Sequence, residues 1–434
     1  MFSSLQELTN LMLTILLRGG WVGFVVALYY MFKILYMDYI NDRWYRDQKW
    51  VFLKITAPRD NEKSPLAFEQ ILNQMHAVHS TRTWAETYLE GQFQIWFVWE
   101  ITSIGGDIGN YVRVLEKHRD TIEAAVYSQF PTAEIEEAED YFDQLPKYNT
   151  ETSEYDIYAY SLVLKNPSYY PIRTYHDFEH TEAETIVDPV TGIWEELTKL
   201  NPYEMVVIQY MLRPIDASWT KAGYQLVKKL KGEPGANKEP RDKFVGAILG
   251  LFGALIDPLI PKGEPSKSKS TKDEPPSLML HLSEGEKEII NVVERKMSKL
   301  AYSTKIRILL VAPKEKMVST PINSAIIGAY KSHWHTAINS LKPDTDHWTN
   351  IKYWAFKEWE QPIHDIRLKY RKRRHMHMIR KRWFPHGRPP FILNTEELAT
   401  ILHFPGIDVT VPKIKTVEVA KVQPPPELPI APID

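Results

Sequence analysis

The sequence predicts an α+β protein: an N-terminal transmembrane helix followed by two ferredoxin-like (βαββαβ-type) units and a C-terminal basic helical segment. Three observations predict it. An apolar run, Gly19 to Tyr36, stands near the start. Behind it, alternating and helically periodic stretches succeed each other in the order β-α-β-β-α-β, and a less regular second series follows. Arg367–Trp383 (RLKYRKRRHMHMIRKRW) then carries nine Lys or Arg and no acid. With 434 residues there is room for two or three domains beyond an anchor. The expected division is a tail 1–10, an anchor 11–37, a first unit 50–145, a second unit 150–345 with an insertion 239–282, a helical basic segment 346–383, and a short helix with a proline-rich linker 384–434.

From Gly19 to Phe32 no residue is charged, Lys33 interrupts, and Ile34–Met37 resume the run. A helix needs about 20 mostly apolar residues to cross a bilayer core. The residues expected to face lipid are Trp21, Val22, Phe24, Val25, Val26, Leu28, Tyr29 and Phe32. Arg18 and Lys33 are placed to reach opposite interfaces, and Trp21, Tyr29, Tyr30 and Tyr36 suit the aromatic belts. A cleaved signal peptide fits less well. The first ten residues hold Glu7 and no Lys or Arg, and no small-x-small site follows the apolar run. Arg43, Arg46 and Lys49 follow the span, whereas only Arg18 precedes it. The positive-inside rule therefore predicts a single-pass protein of the cytoplasmic (inner) membrane with its bulk in the cytoplasm. The chain has no cysteine, so no disulfide framework, thiolate zinc site or cysteine nucleophile is available.

In the first unit, Trp50–Ala57 alternates as a strand. Ser64-Pro65 is a good helix start, with Phe68, Ile71, Leu72, Met75 and Val78 at helical spacing. Gln92–Ile104 alternates, Gly105-Gly106-Asp107 turns, and Ile108–Val114 returns. Glu116–Phe130 is helical, Pro131 stops it, and Thr132–Ala138 forms a last strand. In the second unit, Tyr155–Leu164, Glu204–Arg213 and Thr304–Ala312 read as strands. Helices are expected from Asp188-Pro189 to Leu200, from an Asp216 cap to Leu230, from the Ser283-x-x-Glu286 capping box through Leu300, and from Pro321 to about Lys331. The similar order suggests an internal duplication. Within the insertion, Phe244–Ile256 is apolar but too short to span a membrane, and Pro261–Ser277 is a low-complexity linker. Trp348–Trp359 reads as aromatic helix broken by Pro362, and Asn394-x-x-Glu397 caps a short helix that Pro405-Gly406 ends. Five prolines in Gln423–Asp434 predict an extended polyproline-type tail.

Few stretches offer chemistry. There is no G-x-x-x-x-G-K-[ST], and Gly232–Lys238 has the wrong spacing, so no catalytic residue, cofactor or ATP hydrolysis is expected. His176-Asp177-Phe178-Glu179-His180 matches H-x-x-E-H, but its surroundings predict a loop rather than the helix that zinc chemistry needs. His333-x-His335 and His375-x-His377 lack carboxylate or thiolate companions, so no metal is expected. The acids between Glu134 and Asp143 read as a solvated face. The basic segment is the best candidate site. Arg367, Lys369, Arg371, Lys372, Arg373, Arg374, Arg380, Lys381 and Arg382 can neutralise phosphates, with Tyr370 and Trp383 to stack on bases. The alternatives are anionic lipid headgroups, or a structural helix paired with the acidic cluster.

Several stretches carry a resemblance. They are the anchor with Ile55-Thr56-Ala57-Pro58, Asn61-Glu62-Lys63-Ser64-Pro65, Phe130-Pro131-Thr132-Ala133-Glu134-Ile135, Arg213-Pro214, Val311-Ala312-Pro313-Lys314-Glu315, the Tyr370–Arg374 run, Leu393–Thr400, and His403-Phe404-Pro405-Gly406. The chain resembles the N-terminal, membrane-anchored, non-ATPase region of conjugative-transfer ATPases of the type IV secretion and coupling-protein kind, from small-genome bacteria. The resemblance implies a DNA- or protein-translocation setting and supplies no catalytic residues, because the phosphate-binding motifs belong to a part of the family absent from this sequence. The expected function is a non-catalytic, membrane-anchored platform of a conjugation or secretion machine. Its expected partners are the lipid bilayer, a P-loop ATPase supplied elsewhere, DNA, and further copies of itself. The alternative is a membrane-tethered nucleic-acid-binding protein using 367–383.

Overall fold

The computed structural model describes residues 21–58, 63–179, 188, 190–231, 284–317, 319–331, 333, 338–351, 353 and 357–406. The expectations for 1–20, His180, the insertion 239–282, Ser283 and the tail beyond 406 lie outside the described residues.

The first series of elements is α1 (Trp21–Arg46), β1 (Trp50–Thr56), α2 (Pro65–Met75), α3 (Trp84–Tyr88), β2 (Phe97–Ile104), β3 (Asp107–Leu115), α4 (Arg119–Gln129) and β4 (Glu134–Glu137). The second is β5 (Tyr155–Leu164), α5 (His176–Glu179), α6 (Thr191–Thr198), β6 (Met205–Ile215), α7 (Thr220–Leu230), α8 (Glu284–Met297), β7 (Ala301–Pro313), α9 (Ser319–Lys331) and β8 (Leu341–Pro343). Last come α10 (Lys357–Lys381), β9 (Phe391–Asn394) and α11 (Thr395–Leu402).

Both series share one sheet, ordered β4-β1-β3-β2-β6-β7-β5-β8, with every described pairing antiparallel. Counted inward from its outer edge, each half has its fourth, first, third and second strand in turn. The halves meet where β2 pairs β6, from Phe97 opposite Leu212 to Ile104 opposite Met205. β9 pairs the Ala301–Thr304 end of β7, which β5 leaves open. The central strands are buried on both faces, and this explains their near-continuous apolar runs such as Met205–Ile208.

One face carries the main core. Ile208, Tyr210, Ile308 and Leu310 pack with Phe68 and Ile71 of α2, Ile122 of α4, Trp194 of α6, Tyr330 of α9 and Leu398 of α11. Fully burying one such side chain stabilises by about 1.5–3 kcal/mol. Every residue of α11 is buried, and its capping box forms as the spacing predicts. Asn394 Oδ1 accepts from the Glu397 amide at 2.8 Å, and Glu397 Oε2 accepts from the Asn394 amide at 2.9 Å. The opposite face carries Ile157, Ala159, Val207 and Leu309 under Met376 and Ile379 of α10, beside Tyr141 and Phe142.

α1 is long and apolar enough to cross a membrane, and its residues from Trp21 to Phe32 are exposed, including all eight predicted to face lipid. Its far end is seated on the body. Lys33 Nζ lies 5.5 Å from the Tyr88 ring centre, and the Tyr36 hydroxyl donates to the Tyr88 carbonyl at 3.2 Å. Ile40 rests directly on Gly91, whose φ is +72°; a side chain there would collide with the Ile40 backbone. Tyr45 packs 4.3 Å from Trp383 and 5.7 Å from Trp96, ring centre to ring centre.

Three readings are corrected. Pro362 does not break the helix: α10 runs through it. The amide that proline lacks would have bonded Glu358 in the first turn, and both residues are exposed, so solvent can satisfy that carbonyl. Of the predicted helix Trp348–Trp359, the described residues 348–351 and 353 are not helical, and Lys357–Trp359 belong to the start of α10. His176–Glu179 forms one helical turn where a loop is expected.

Candidate functional site

α10 is built to lie on a sheet. Its first turn is acidic (Glu358, Glu360) and its last basic (Arg380, Lys381), as the helix dipole favours. Residues three and four apart share a face, and the nine predicted cations divide accordingly.

One face is matched by carboxylates. Lys369 meets Glu151 at 3.0 Å on the surface, half-buried Lys372 meets Asp156 at 2.6 Å, and Arg380 meets Asp143 at 3.3 Å. Arg382, at the left-handed φ of +51° that ends the helix, is buried. It donates to both Glu100 oxygens at 2.8 and 2.9 Å and to both Asp140 oxygens. Glu100 also accepts from the Tyr141 hydroxyl at 2.8 Å and from Gln209 Nε2 at 2.6 Å, which donates in turn to the Ile379 carbonyl. Glu100 and Gln209 face each other across the β2–β6 seam, so Arg382 clips α10 to the line where the halves join. Burial opposes the charge on Arg382, but Glu100, Tyr141 and Asp140 together more than compensate and hold the guanidinium above its ordinary value. Asp140 is thus an ion-pair partner and not part of a solvated face, while Glu136 and Glu137 pair with Lys54 and Arg119.

The other face is unmatched. Arg367, Arg371 and Arg374 form a stripe that continues to Met378 and lines a cavity of about 300 Å³. Arg371 donates to the Trp348 carbonyl at 3.0 Å. Arg367 and Arg374 are exposed and make no hydrogen bond or ion pair with any described residue. Arg373 and Lys381 are exposed on the remaining surface.

Sequence reasoning missed Glu100 and Gln209 as part of this arrangement, and it missed the cations beneath it on β7. For the first two the signal was available: Glu100 is the one charged residue in FVWEITSI, and Gln209 the one amide in MVVIQYML. Lys305 and Arg307 on β7 are buried and bond only carbonyls. Lys305 donates to Phe384 and His386, and Arg307 to Met378, Trp383 and His386. Burial, then the neighbouring Arg307 and Arg213, lowers the Lys305 ammonium to about 7; burial lowers Arg307 to about 10. Among the described residues, Asp344, Asp346 and His347 approach a metal-ligand grouping, but Arg388 already bridges both carboxylates, at 2.6 and 3.1 Å.

Residues 43–417 match the family model described as "Domain of unknown function (DUF8128)". The chain belongs to this family. The DUF8128 region begins in the last turn of α1 and takes in the whole sheet, α10 and α11, leaving most of the apolar helix outside. No curated protein matches the chain.

Proposed function

We propose that this protein is a non-catalytic, single-pass platform of the cytoplasmic membrane, with its body in the cytoplasm, that serves a conjugation- or secretion-like machine alongside an ATPase supplied elsewhere. The observation that carries the reading is the join between anchor and body. Only residues 47–49 separate α1 from β1, Ile40 is seated on Gly91, and Tyr45 is wedged between Trp96 and Trp383. A loose tether needs none of this. A joint so braced fixes which surface of the sheet faces away from the membrane, as docking of other subunits requires. The equal strand orders of the two halves support reading each as a ferredoxin-like unit, related by duplication, with the basic segment as a brace across them. Arg43, Arg46 and Lys49 support the orientation.

The test is to extract the full chain from native membranes in mild detergent and identify co-purifying proteins by mass spectrometry, with ATP hydrolysis measured in parallel. A stoichiometric P-loop ATPase and no hydrolysis by the chain alone is the expected result. Hydrolysis by the isolated chain would overturn it. A second reading, nucleic-acid binding by 367–383, is favoured by the unmatched Arg367, Arg371 and Arg374. It predicts salt-dependent DNA or RNA binding that weakens when these arginines become alanine.

A further inference from the structure

The cavity beside α10 has the attributes of a built anion site. Three arginines at positions i, i+4 and i+7 of one helix converge on it, and none has a carboxylate partner. Its wall includes His375, which is only 5% exposed. His375 Nε2 lies 2.7 Å from the His347 carbonyl and must donate to it, so Nδ1 is the lone-pair side; that atom is buried and has no hydrogen-bond partner. Burial first, and then Arg307, Arg374 and Arg371, pushes the His375 imidazolium down to about 4, so the ring is neutral at physiological pH and adds no charge of its own to the cavity.

The loop after α10 closes the site from below. Gly387, at φ +92°, turns the chain against Met378, and a side chain there would sit 3.3 Å from the Met378 sulfur. The carbonyl of His386, one residue earlier, is held by Lys305 and Arg307. Among the described residues, the carboxylates that act on the stripe, Asp344 and Asp346 beside Arg371, are themselves held by Arg388. The local field is therefore positive. It has two sources, the α10 stripe above and buried Arg307 below.

We propose that this cavity binds a compact phosphate-bearing group, a phosphate or diphosphate of a small molecule or of a lipid headgroup, gripped by Arg367, Arg371 and Arg374. Guanidinium forks suit phosphate oxygens in paired hydrogen bonds. The volume lies at the lower end of the range for small-molecule sites. An extended polyanion fits less well. The three arginines converge on one compact cavity within about two turns of helix, whereas a strand needs cations spread along its length. The site does not depend on the platform reading, since a platform without a ligand and a ligand-binding protein outside any machine are both coherent.

The test uses the full chain in phosphatidylcholine nanodiscs, titrated with pyrophosphate and with inorganic phosphate by calorimetry. Saturable one-to-one binding of pyrophosphate is expected, weakened at least tenfold in the Arg367→Ala/Arg374→Ala variant. Both side chains are exposed and unbonded, so this variant should fold, and unchanged thermal unfolding checks that it does. Arg373→Ala, on another face, should leave binding intact. Repeating the titration in nanodiscs doped with an inositol-phosphate lipid separates the sources: loss of pyrophosphate binding assigns the site to a headgroup, and retention assigns it to a soluble ligand. No saturable binding of either probe, binding indifferent to Arg367 and Arg374, or an arginine-dependent affinity confined to oligonucleotides would each overturn the proposal.

Discussion

The two faces of α10 differ in what surrounds them, although both are rich in Lys and Arg. On one, each cation meets a carboxylate, from Lys369 and Arg380 nearer the surface, through half-buried Lys372, to Arg382 in the interior. On the other, Arg367, Arg371 and Arg374 meet none. Charge density along a sequence therefore does not reveal function by itself. What matters is whether the fold brings carboxylates to the charges, and here it does so for one face only.

The contrast can be broken first at Arg382. Arg382→Ala leaves Glu100 charged and buried at the seam, and should cost about 3–5 kcal/mol, read by chemical denaturation of the detergent-solubilised chain. A loss below about 1 kcal/mol would mean that the seam does not depend on this ion pair. The next effect is on pH. His375 titrates near 4 in the folded chain, against 6.5 for a free side chain. The unfolded chain thus binds a proton that the folded chain does not. This residue should remove stability as pH falls from about 6.5 to about 4, at about 1.4 kcal/mol per unit, and have no effect above that window. His375→Gln should flatten that stretch of the stability–pH curve; an unchanged slope would show that the ring titrates normally. Lys372→Ala, which leaves a half-buried Asp156, should cost about 1–2 kcal/mol in the same denaturation. Smallest of all, Arg374→Ala should leave stability unchanged. A measurable loss there would mean that the open face also has a partner.

Local signals in the sequence were legible wherever both halves of a motif lie a few residues apart. Tyr155–Leu164 is the strand that its alternation predicts, and the Asn394–Glu397 box caps the helix it announces. The β-α-β-β-α-β order of the first series could be read because most of its runs are long enough to show a period, and Pro131 marks off the four-residue β4. β8 and β9, at three and four residues, are too short to show one. They are strands only because β5 and β7 offer them an edge. The site followed the same rule. The basic stripe was visible, but the division of its charges was not, because Arg382 finds Glu100 across 282 positions of chain. The polar interruptions Glu100 and Gln209 were the remaining clue, and only the strand register shows that they face each other.

The place of α11 has a consequence for how the molecule is made. This helix is buried along its whole length against α2, and Glu397 is locked to Lys296 of α8 at 2.9 Å, yet it is among the last described parts of the chain to be synthesised. The apolar helix α1 is among the first. At roughly 5–20 residues per second, the ribosome needs on the order of tens of seconds to go from one to the other. Throughout that interval the growing chain carries a half-covered apolar sheet that it cannot yet close. Ribosome-bound chains arrested before Phe391 should accordingly be cut by protease across the sheet region, and chains extended well past Phe404 should resist. The late arrival of one short helix sets when this body becomes a folded object.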